Sequence, residues 1–167
     1  KKQGLALDES IALNMVAVSL KKIFPNFFIS KKKITEVALG YKKQLRIATT
    51  SVNKACKYLS GGNQQKVVLA KWLSFDPEIL IFDEPTAVLT PQEIDDLMQT
   101  MRNLVKEGKS IIFISHKLNE IMAIADRCTV LWHGKSVGTV ELRDPKITKE
   151  YLSELMVGRK VTLVPDK

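Results

Sequence analysis

The chain has 167 residues, with 26 basic and 18 acidic side chains and a net charge of +8. This length suffices for about one domain with a buried core, and no apolar run is long enough to span a membrane. The N-terminal stretch KKQGLALDES lacks an apolar signal core, which argues against a secretory leader. The basic residues are dispersed with few interleaved aromatics, so solvated helix faces are favoured over a nucleic-acid groove.

Residues 1–58 are predicted to be mostly helical and to carry no chemistry of their own. Asp8 or Ser10 can cap a helix that runs to about Leu20, and a second helix is expected from about Lys31 to Arg46. The FPNFF stretch separates the two helices, because proline cannot continue a helix. The pattern therefore predicts a small unit of packed helices.

A glycine-rich turn follows in the stretch LSGGNQQK. It places a hydroxyl and bare backbone N–H groups at the start of a helix, and its residues are Ser60, Gly61, Gly62 and Asn63. Unpaired N–H donors and the helix dipole both favour negative charge, so this turn suits an oxyanion. The helix, expected from about Asn63 to Phe75, is predicted to bury Val67, Val68, Trp72 and Leu73.

A pair of carboxylates comes directly after the apolar run Ile79–Phe82. The run is typical of a strand that is buried on both faces of a parallel sheet. Asp83 and Glu84 follow at its end, where open α/β sheets bind their ligands. Asp83 can hold Mg²⁺ there, and Glu84 can orient a water molecule.

The next segment reads as helix and then strand. Thr90 to Glu93 forms a capping box with proline at the first helical position, and Gly108 is expected to end this helix. Ile111–Ile114 is predicted as the next buried strand, with His116 just past its end. A strand–helix–strand unit of this length implies a parallel strand pair. A short helix, a hairpin through Gly134 and a last helix from Thr148 to about Val157 are expected to complete the chain.

These motifs together resemble the ATP-binding cassette (ABC) ATPases. LSGGNQQK is similar to the signature motif of that family, and ILIFDEP to its Walker B strand with the catalytic glutamate. Thr86–Thr90 resembles its D-loop, with Thr90 where the family has aspartate, and SHK with His116 resembles its histidine switch. The resemblance implies an α/β fold, namely the C-terminal part of a P-loop NTPase domain with a mostly parallel sheet and a helical subdomain.

The resemblance also implies a division of the chain and a role for each motif. Residues 1–62 would be the helical signature subdomain, residues 63–145 a partial RecA-like core, and residues 146–167 a C-terminal helix and tail. ATP and Mg²⁺ would be the cofactors, with Asp83 on the metal, Glu84 as catalytic base and His116 sensing the γ-phosphate. The signature residues Ser60, Gly61, Gly62 and Asn63 would close over the γ-phosphate of a nucleotide held by another cassette.

One motif of the family does not occur in the sequence, namely the phosphate loop GxxxxGK[ST]. We therefore expect the chain by itself to neither bind ATP tightly nor hydrolyse it. The implied partners are a second cassette that supplies Walker A and the transmembrane permease subunits of a sugar or nucleoside importer. The implied location is the cytoplasm, at the inner face of the cell membrane. The strand edges left without a neighbour also predict self-association.

The finer resemblance is mixed. GLALDESIALNM is similar to the second cassette of tandem sugar-import ATPases, whereas TAVLTPQEIDDLM is similar to the first cassette of such proteins, especially those that import nucleosides. A natural hybrid, a gene remnant and an excised fragment all fit this mixture. Two other functions stay open: a non-catalytic interaction or regulatory domain on an ABC ATPase scaffold, and half of a split ATPase head like those of chromosome-maintenance and repair proteins. The latter join their halves through long coiled coils, and no sustained heptad repeat precedes Leu59.

Overall fold

The computed structural model describes residues 4–26 and 28–157, and the chain separates into two compact units. Unit 1 is formed by the residues up to Leu80 and by Pro85–Ile111, and unit 2 by Ile81–Glu84 and the residues from Ile112 onward. The end of the last helix at Gly158 and the tail to Lys167 lie outside the described residues.

The helices are α1 (Ile11–Val16), α2 (Leu20–Ile23), α3 (Lys31–Gln44), α4 (Gly61–Leu73), α5 (Pro91–Lys106), α6 (Leu118–Ile124) and α7 (Lys149–Val157). The strands are β1 (Ile79–Asp83), β2 (Ser110–Ile114), β3 (Arg127–Trp132) and β4 (Lys135–Glu141), and a short 3₁₀ turn lies at Cys56–Tyr58. Within residues 4–26 and 28–157, no helix has the length and apolarity that crossing a bilayer requires.

The first helix is shorter than predicted. Of its two predicted caps, Ser10 is the one used, because its Oγ accepts a hydrogen bond from the Leu13 N–H at 3.1 Å. The helix ends at Val16 and not near Leu20. The Val16 carbonyl accepts from both the backbone N–H and the Oγ of Ser19, at 3.0 and 3.2 Å, which closes a turn in place of a further helical bond.

The core of unit 1 forms where α1 packs against α3 and α4. The side chains that are buried there include Ile11, Met15, Val16, Ala38, Val67, Ala70 and Leu73. The predicted burial of Val68 and Trp72 was wrong, because Val68 is only half-buried and Trp72 is 52 % exposed. The buried face of α4 runs through Val67, Ala70 and Leu73, and a helix turns about 100° per residue, which directs Trp72 away from that face.

The helix α5 begins and ends as predicted. The Thr90 side chain and the Glu93 side chain form a reciprocal capping box, with Pro91 at the first helical position. The apolar stripe is buried at Leu97, Met98, Met101 and Leu104. Gly108 follows the helix with a φ of +89°, a conformation that favours glycine after a helix end.

The strands β1 and β2 pair in parallel, which confirms the predicted strand–helix–strand unit. Near their starts the Ser110 N–H donates to the Glu78 carbonyl at 2.9 Å, and past their ends the Glu84 N–H donates to the Ile114 carbonyl at 3.0 Å. Burial on both faces was a wrong prediction. Leu80 and Phe82 are buried, whereas the alternating residues Ile79 and Ile81 are 57 % and 67 % exposed. Among the described residues, therefore, only one face of this two-stranded sheet is covered.

Unit 2 contains the predicted antiparallel hairpin of β3 and β4. Its turn residues His133 and Gly134 have φ values of +46° and +74°, as a type I′ turn requires. The helix α7 packs on β3 and α6, with Leu152 fully buried. The Thr148 Oγ1 accepts from the Tyr151 N–H at 3.2 Å, which confirms Thr148 as the cap of the last helix.

Candidate functional site

The carboxyl ends of β1 and β2 bring Glu84 and His116 into contact. His116 Nδ1 lies 2.7 Å from Glu84 Oε1, within hydrogen-bond distance. A carboxylate can only accept a hydrogen bond, so the ring donates through Nδ1–H and leaves its Nε2 available to a further group. The His116 side chain is 71 % exposed and that of Glu84 is 34 % exposed, so the ring is the more open member of the pair.

The second oxygen of Glu84 differs from the first. Oε2 is buried and has no hydrogen-bond partner within the described part of the chain. A buried oxygen without a partner retains its capacity to accept a proton or a hydrogen bond, at a cost in folding free energy. Glu84 also has a φ of +45°, which is strained for a residue with a side chain. Strain and an unpaired oxygen at one carboxylate are typical of a functional position.

Asp83 ends β1 and is exposed. No group of three or more His, Cys, Asp or Glu side chains within residues 4–26 and 28–157 is arranged to hold a metal ion. A lone carboxylate still fits Mg²⁺, because this ion is commonly bound by one or two carboxylates together with substrate phosphates and waters. The donor set at Asp83 therefore suits a metal that arrives with a phosphorylated ligand.

The signature turn at residues 60–63 forms the start of α4. Ser60 is the N-cap, and its Oγ accepts from the backbone N–H and the side-chain Nδ2 of Asn63, at 3.4 and 3.0 Å. Gly61 is exposed and Gly62 is buried. Asn63 is engaged within the protein, since its Oδ1 accepts from the Ala48 N–H at 2.7 Å. Asn63 thus ties the turn to the segment after α3 and orients Ser60.

A carboxylate that was not predicted at this turn lies against it. Glu93 Oε1 accepts from the Ser60 Oγ at 3.0 Å and from the Gly62 N–H at 3.2 Å, while its Oε2 accepts from the Thr90 N–H at 3.1 Å. The capping-box motif predicted only the bond to Thr90. No local pattern in the sequence relates Glu93 to a turn that lies about 30 residues earlier.

These hydrogen bonds stabilise the ionised form of Glu93. The hydrogen bond from the Thr90 backbone is the largest cause that holds the pKa of Glu93 below its ordinary value of 4.5. Burial opposes it, and the hydrogen bonds from the Ser60 hydroxyl, the Thr90 hydroxyl and the Gly62 backbone lower the pKa further. The turn therefore binds a negatively charged oxygen within this structure, which agrees with the oxyanion preference predicted from its sequence.

Behind the turn, α4 and α5 are joined by an ion pair. Lys66 Nζ lies 3.0 Å from Asp96 Oδ2 and donates to the Arg46 carbonyl at 3.4 Å. The Lys66 side chain is 9 % exposed, whereas that of Asp96 is 56 % exposed. The last residue of the LSGGNQQK motif thus has a structural role.

The structure places the predicted site residues in two groups. Asp83, Glu84 and His116 belong to unit 2, and the signature turn belongs to unit 1. Within each group the side chains are adjacent in the chain or in direct contact.

Comparison with known proteins gives consistent results. A family model described as ABC transporter matches residues 5–87. The nucleoside import ATP-binding protein NupA of Lactococcus lactis is 51 % identical over 83 % of this chain, and 26 % of its own length is matched. The ribose import ATP-binding protein RbsA of Clostridium perfringens is 39 % identical over 95 % of this chain and is matched over 31 % of its length. The chain thus spans about a third or less of these curated relatives.

Solved structures agree on the fold. A nucleotide-free ATP-binding cassette from an ABC transporter superposes with a TM-score of 0.70 at 17 % identity, covering 90 % of this chain and 60 % of that one. A dimeric ATP-binding cassette in a post-hydrolysis state, bound to ADP and Pi, gives a TM-score of 0.65 at 26 % identity, covering 84 % and 62 %. The predicted α/β class, as part of an ATPase domain, is confirmed. The chain belongs to the ABC transporter family and corresponds to a part of its ATP-binding cassette.

Proposed function

We propose that this chain is part of an ATP-hydrolysing subunit that energises the import of a sugar or a nucleoside. The observation that carries the proposal is the contact between Glu84 and His116 at the ends of two adjacent parallel strands. The nucleoside and ribose import functions in the names of its relatives support the substrate class.

Glu84 and His116 divide the work at the attacking water. His116 donates to Oε1 and orients the carboxylate, and Glu84 would accept the proton of the water that attacks the γ-phosphate. The Nε2 of His116 would donate to a phosphate oxygen when the ring is protonated. Bound Mg²⁺ would neutralise charge on the phosphate oxygens, and Asp83 is the residue that would hold it.

The signature residues Ser60, Gly61 and Gly62, oriented by Asn63, would complete the ATP site of a second cassette. A dimeric cassette bound to ADP and Pi among the similar structures supports this arrangement. The second cassette supplies the phosphate loop, which the 167 residues do not contain. We propose transmembrane permease subunits as the other partners and the inner face of the cell membrane as the location.

The exposed face of β1 and β2 supports a further contact with missing parts of a cassette. Ile79 and Ile81 on β1, and Ile112 and Ile114 on β2, are each about half or more exposed. Apolar rows on adjacent strands are normally covered, either by another segment or by a second copy. The domain division into residues 1–62, 63–145 and 146–167 stays a prediction, and its first boundary falls within α4.

The test is calorimetry with Mg²⁺-ATP on the chain alone and on a mixture with a cassette segment that carries the phosphate loop. The proposal predicts that ATP binds only in the mixture, and that Ser60→Ala in this chain weakens the binding. Equal ATP affinity for the phosphate-loop segment with and without this chain would contradict it. That result would favour the alternative of a non-catalytic interaction or regulatory domain.

A further inference from the structure

The carboxylate of Glu93 occupies the hydrogen-bond donors that the signature turn offers to an anion. Ser60 has one hydroxyl hydrogen. Its Oγ already accepts from both nitrogens of Asn63, so that hydrogen is directed to Glu93 Oε1 at 3.0 Å. The Gly62 N–H also donates to the same oxygen, at 3.2 Å. Both donors are therefore engaged by a group of this chain.

The fit around Gly62 leaves no space for a second anion beside Glu93. A Cβ placed on Gly62 would come within 2.4 Å of both Cδ and Oε1 of Glu93. A phosphate oxygen that reached the Gly62 N–H would meet the same atoms, and it would face a like charge at contact distance. Glu93 and a phosphate oxygen thus exclude each other at this turn.

We propose that Glu93 is an internal competitor of the γ-phosphate, an autoinhibitory contact that occupies Ser60 and Gly62 until a nucleotide displaces it. This inference rests on the proposed function, in which the turn closes over the γ-phosphate of a second cassette. The Glu93 contact makes the approach of the two cassettes depend on the replacement of the Glu93 carboxylate by the γ-phosphate. It therefore opposes closure in the absence of nucleotide.

The same capping box provides a route for the exchange. The Thr90 Oγ1 accepts from the Glu93 backbone N–H at 3.4 Å, a bond that does not involve the Glu93 carboxylate. The carboxylate can therefore leave Ser60 and Gly62 by rotation of its own side chain while the start of α5 stays capped. Glutamine at position 93 can also cap α5, and it lacks the negative charge that competes with phosphate.

The test uses inorganic phosphate as the probe and the backbone amide NMR signals of Gly61 and Gly62 as the readout, on the full chain. Glu93→Gln should raise the apparent phosphate affinity at Gly62 by about tenfold, since charge-assisted hydrogen bonds no longer have to be broken. Asp95→Asn is the matched control, because it removes an exposed carboxylate from the same turn of α5 and should change the affinity by less than about twofold. Glu93→Asp, which is shorter by one methylene and withdraws from the turn, should also raise the affinity, and it serves if the glutamine variant does not fold.

Two results overturn the inference. One is equal phosphate affinity in the wild type and Glu93→Gln, and the other is no response of Gly62 to phosphate in any variant. Failure of the proposed function is a separate outcome. If the mixture with a phosphate-loop segment captures ATP while Glu93→Gln leaves the phosphate response unchanged, only the inference fails. If Glu93→Gln gains phosphate affinity and no mixture captures ATP, the exchange stands and the proposed function fails.

Discussion

Glu84 and His116 are separated by 32 positions in the chain, yet Oε1 of the carboxylate and Nδ1 of the ring lie 2.7 Å apart. The contact depends on the parallel pairing of β1 and β2, in which the Glu84 N–H donates to the Ile114 carbonyl. Backbone pairing thus fixes the distance between the proposed base and the ring that orients it.

Replacing His116 should slow hydrolysis more than it weakens ATP binding. In a mixture with a phosphate-loop segment, His116→Ala should lower the ATP turnover number by about 100-fold, because the carboxylate loses its orienting donor. His133→Asn is the control, since His133 lies in the β3–β4 turn at a φ of +46°, which asparagine tolerates. Equal turnover of the two variants would refute a role for the ring.

The two glycines of the signature turn should respond differently to alanine. At Gly61 the nearest atom to an added Cβ is the Val88 carbonyl oxygen at 3.7 Å, so Gly61→Ala should raise the free energy of unfolding by about 0.5 kcal/mol through lower backbone entropy. Gly62→Ala should instead displace the Glu93 side chain from the turn. The free energy of unfolding should then be about 1 kcal/mol lower than that of Gly61→Ala, because two hydrogen bonds are lost. Urea denaturation measures both, and similar stabilities would show that Glu93 is not held at the turn.

Glu93 should make folding stability depend on acid pH. Its pKa is lowered in the folded protein, so its contribution is complete above the unfolded-state pKa and is lost as the pH falls through the folded-state value. As the pH falls from about 5 to about 3, the melting temperature of the wild type should therefore decrease more than that of Glu93→Gln. Parallel pH profiles of the two proteins would contradict this contribution.

The ion pair behind the turn should be worth more than an ordinary surface pair. Asp96→Asn leaves the nearly buried ammonium of Lys66 with the Arg46 carbonyl, so it should reduce the free energy of unfolding by about 1 kcal/mol. The large exposure of Asp96 keeps this value well below that of a fully buried pair. Asp95→Asn, at an exposed neighbour, should have a free energy of unfolding within about 0.5 kcal/mol of the wild-type value, as for other surface substitutions. Chemical denaturation of both variants provides the comparison.

The exposed face of β1 and β2 should promote self-association. Ile81→Lys places a charge where the side chain is 67 % exposed, so it should reduce the apparent mass in light scattering at high concentration without unfolding the chain. Val105→Lys is the control, since it places the same charge on α5 at an apolar side chain that is 49 % exposed. A wild-type protein that stays monomeric at every concentration would refute the prediction.

Sequence reasoning succeeded where the signal was local. Ser10, Thr90 and Thr148 cap the helices that they were predicted to cap, and the strand–helix–strand unit around α5 formed as its periodicity required. It failed where the outcome depends on which surfaces meet. Trp72 lies outside the buried face of α4, and Ile79 and Ile81 face away from the covered side of the sheet.

The site shows the same division. The motif stretches identified Asp83, Glu84, His116 and the signature turn, because each stands at a strand end or a helix start. The contact of Glu93 with Ser60 and Gly62 was missed. It depends on how the starts of α4 and α5 approach each other, and tertiary packing alone determines that approach.

ATP turnover by the mixture of this chain with a phosphate-loop segment tests the central claim most directly, with Glu84→Gln as the variant. We expect ATP turnover with the wild-type chain. With the variant we expect retained ATP binding and a turnover that is lower by about 100-fold or more. If the ATP turnover is the same with the wild-type chain, with Glu84→Gln and without the chain, Glu84 is not the base and this chain does not contribute to hydrolysis.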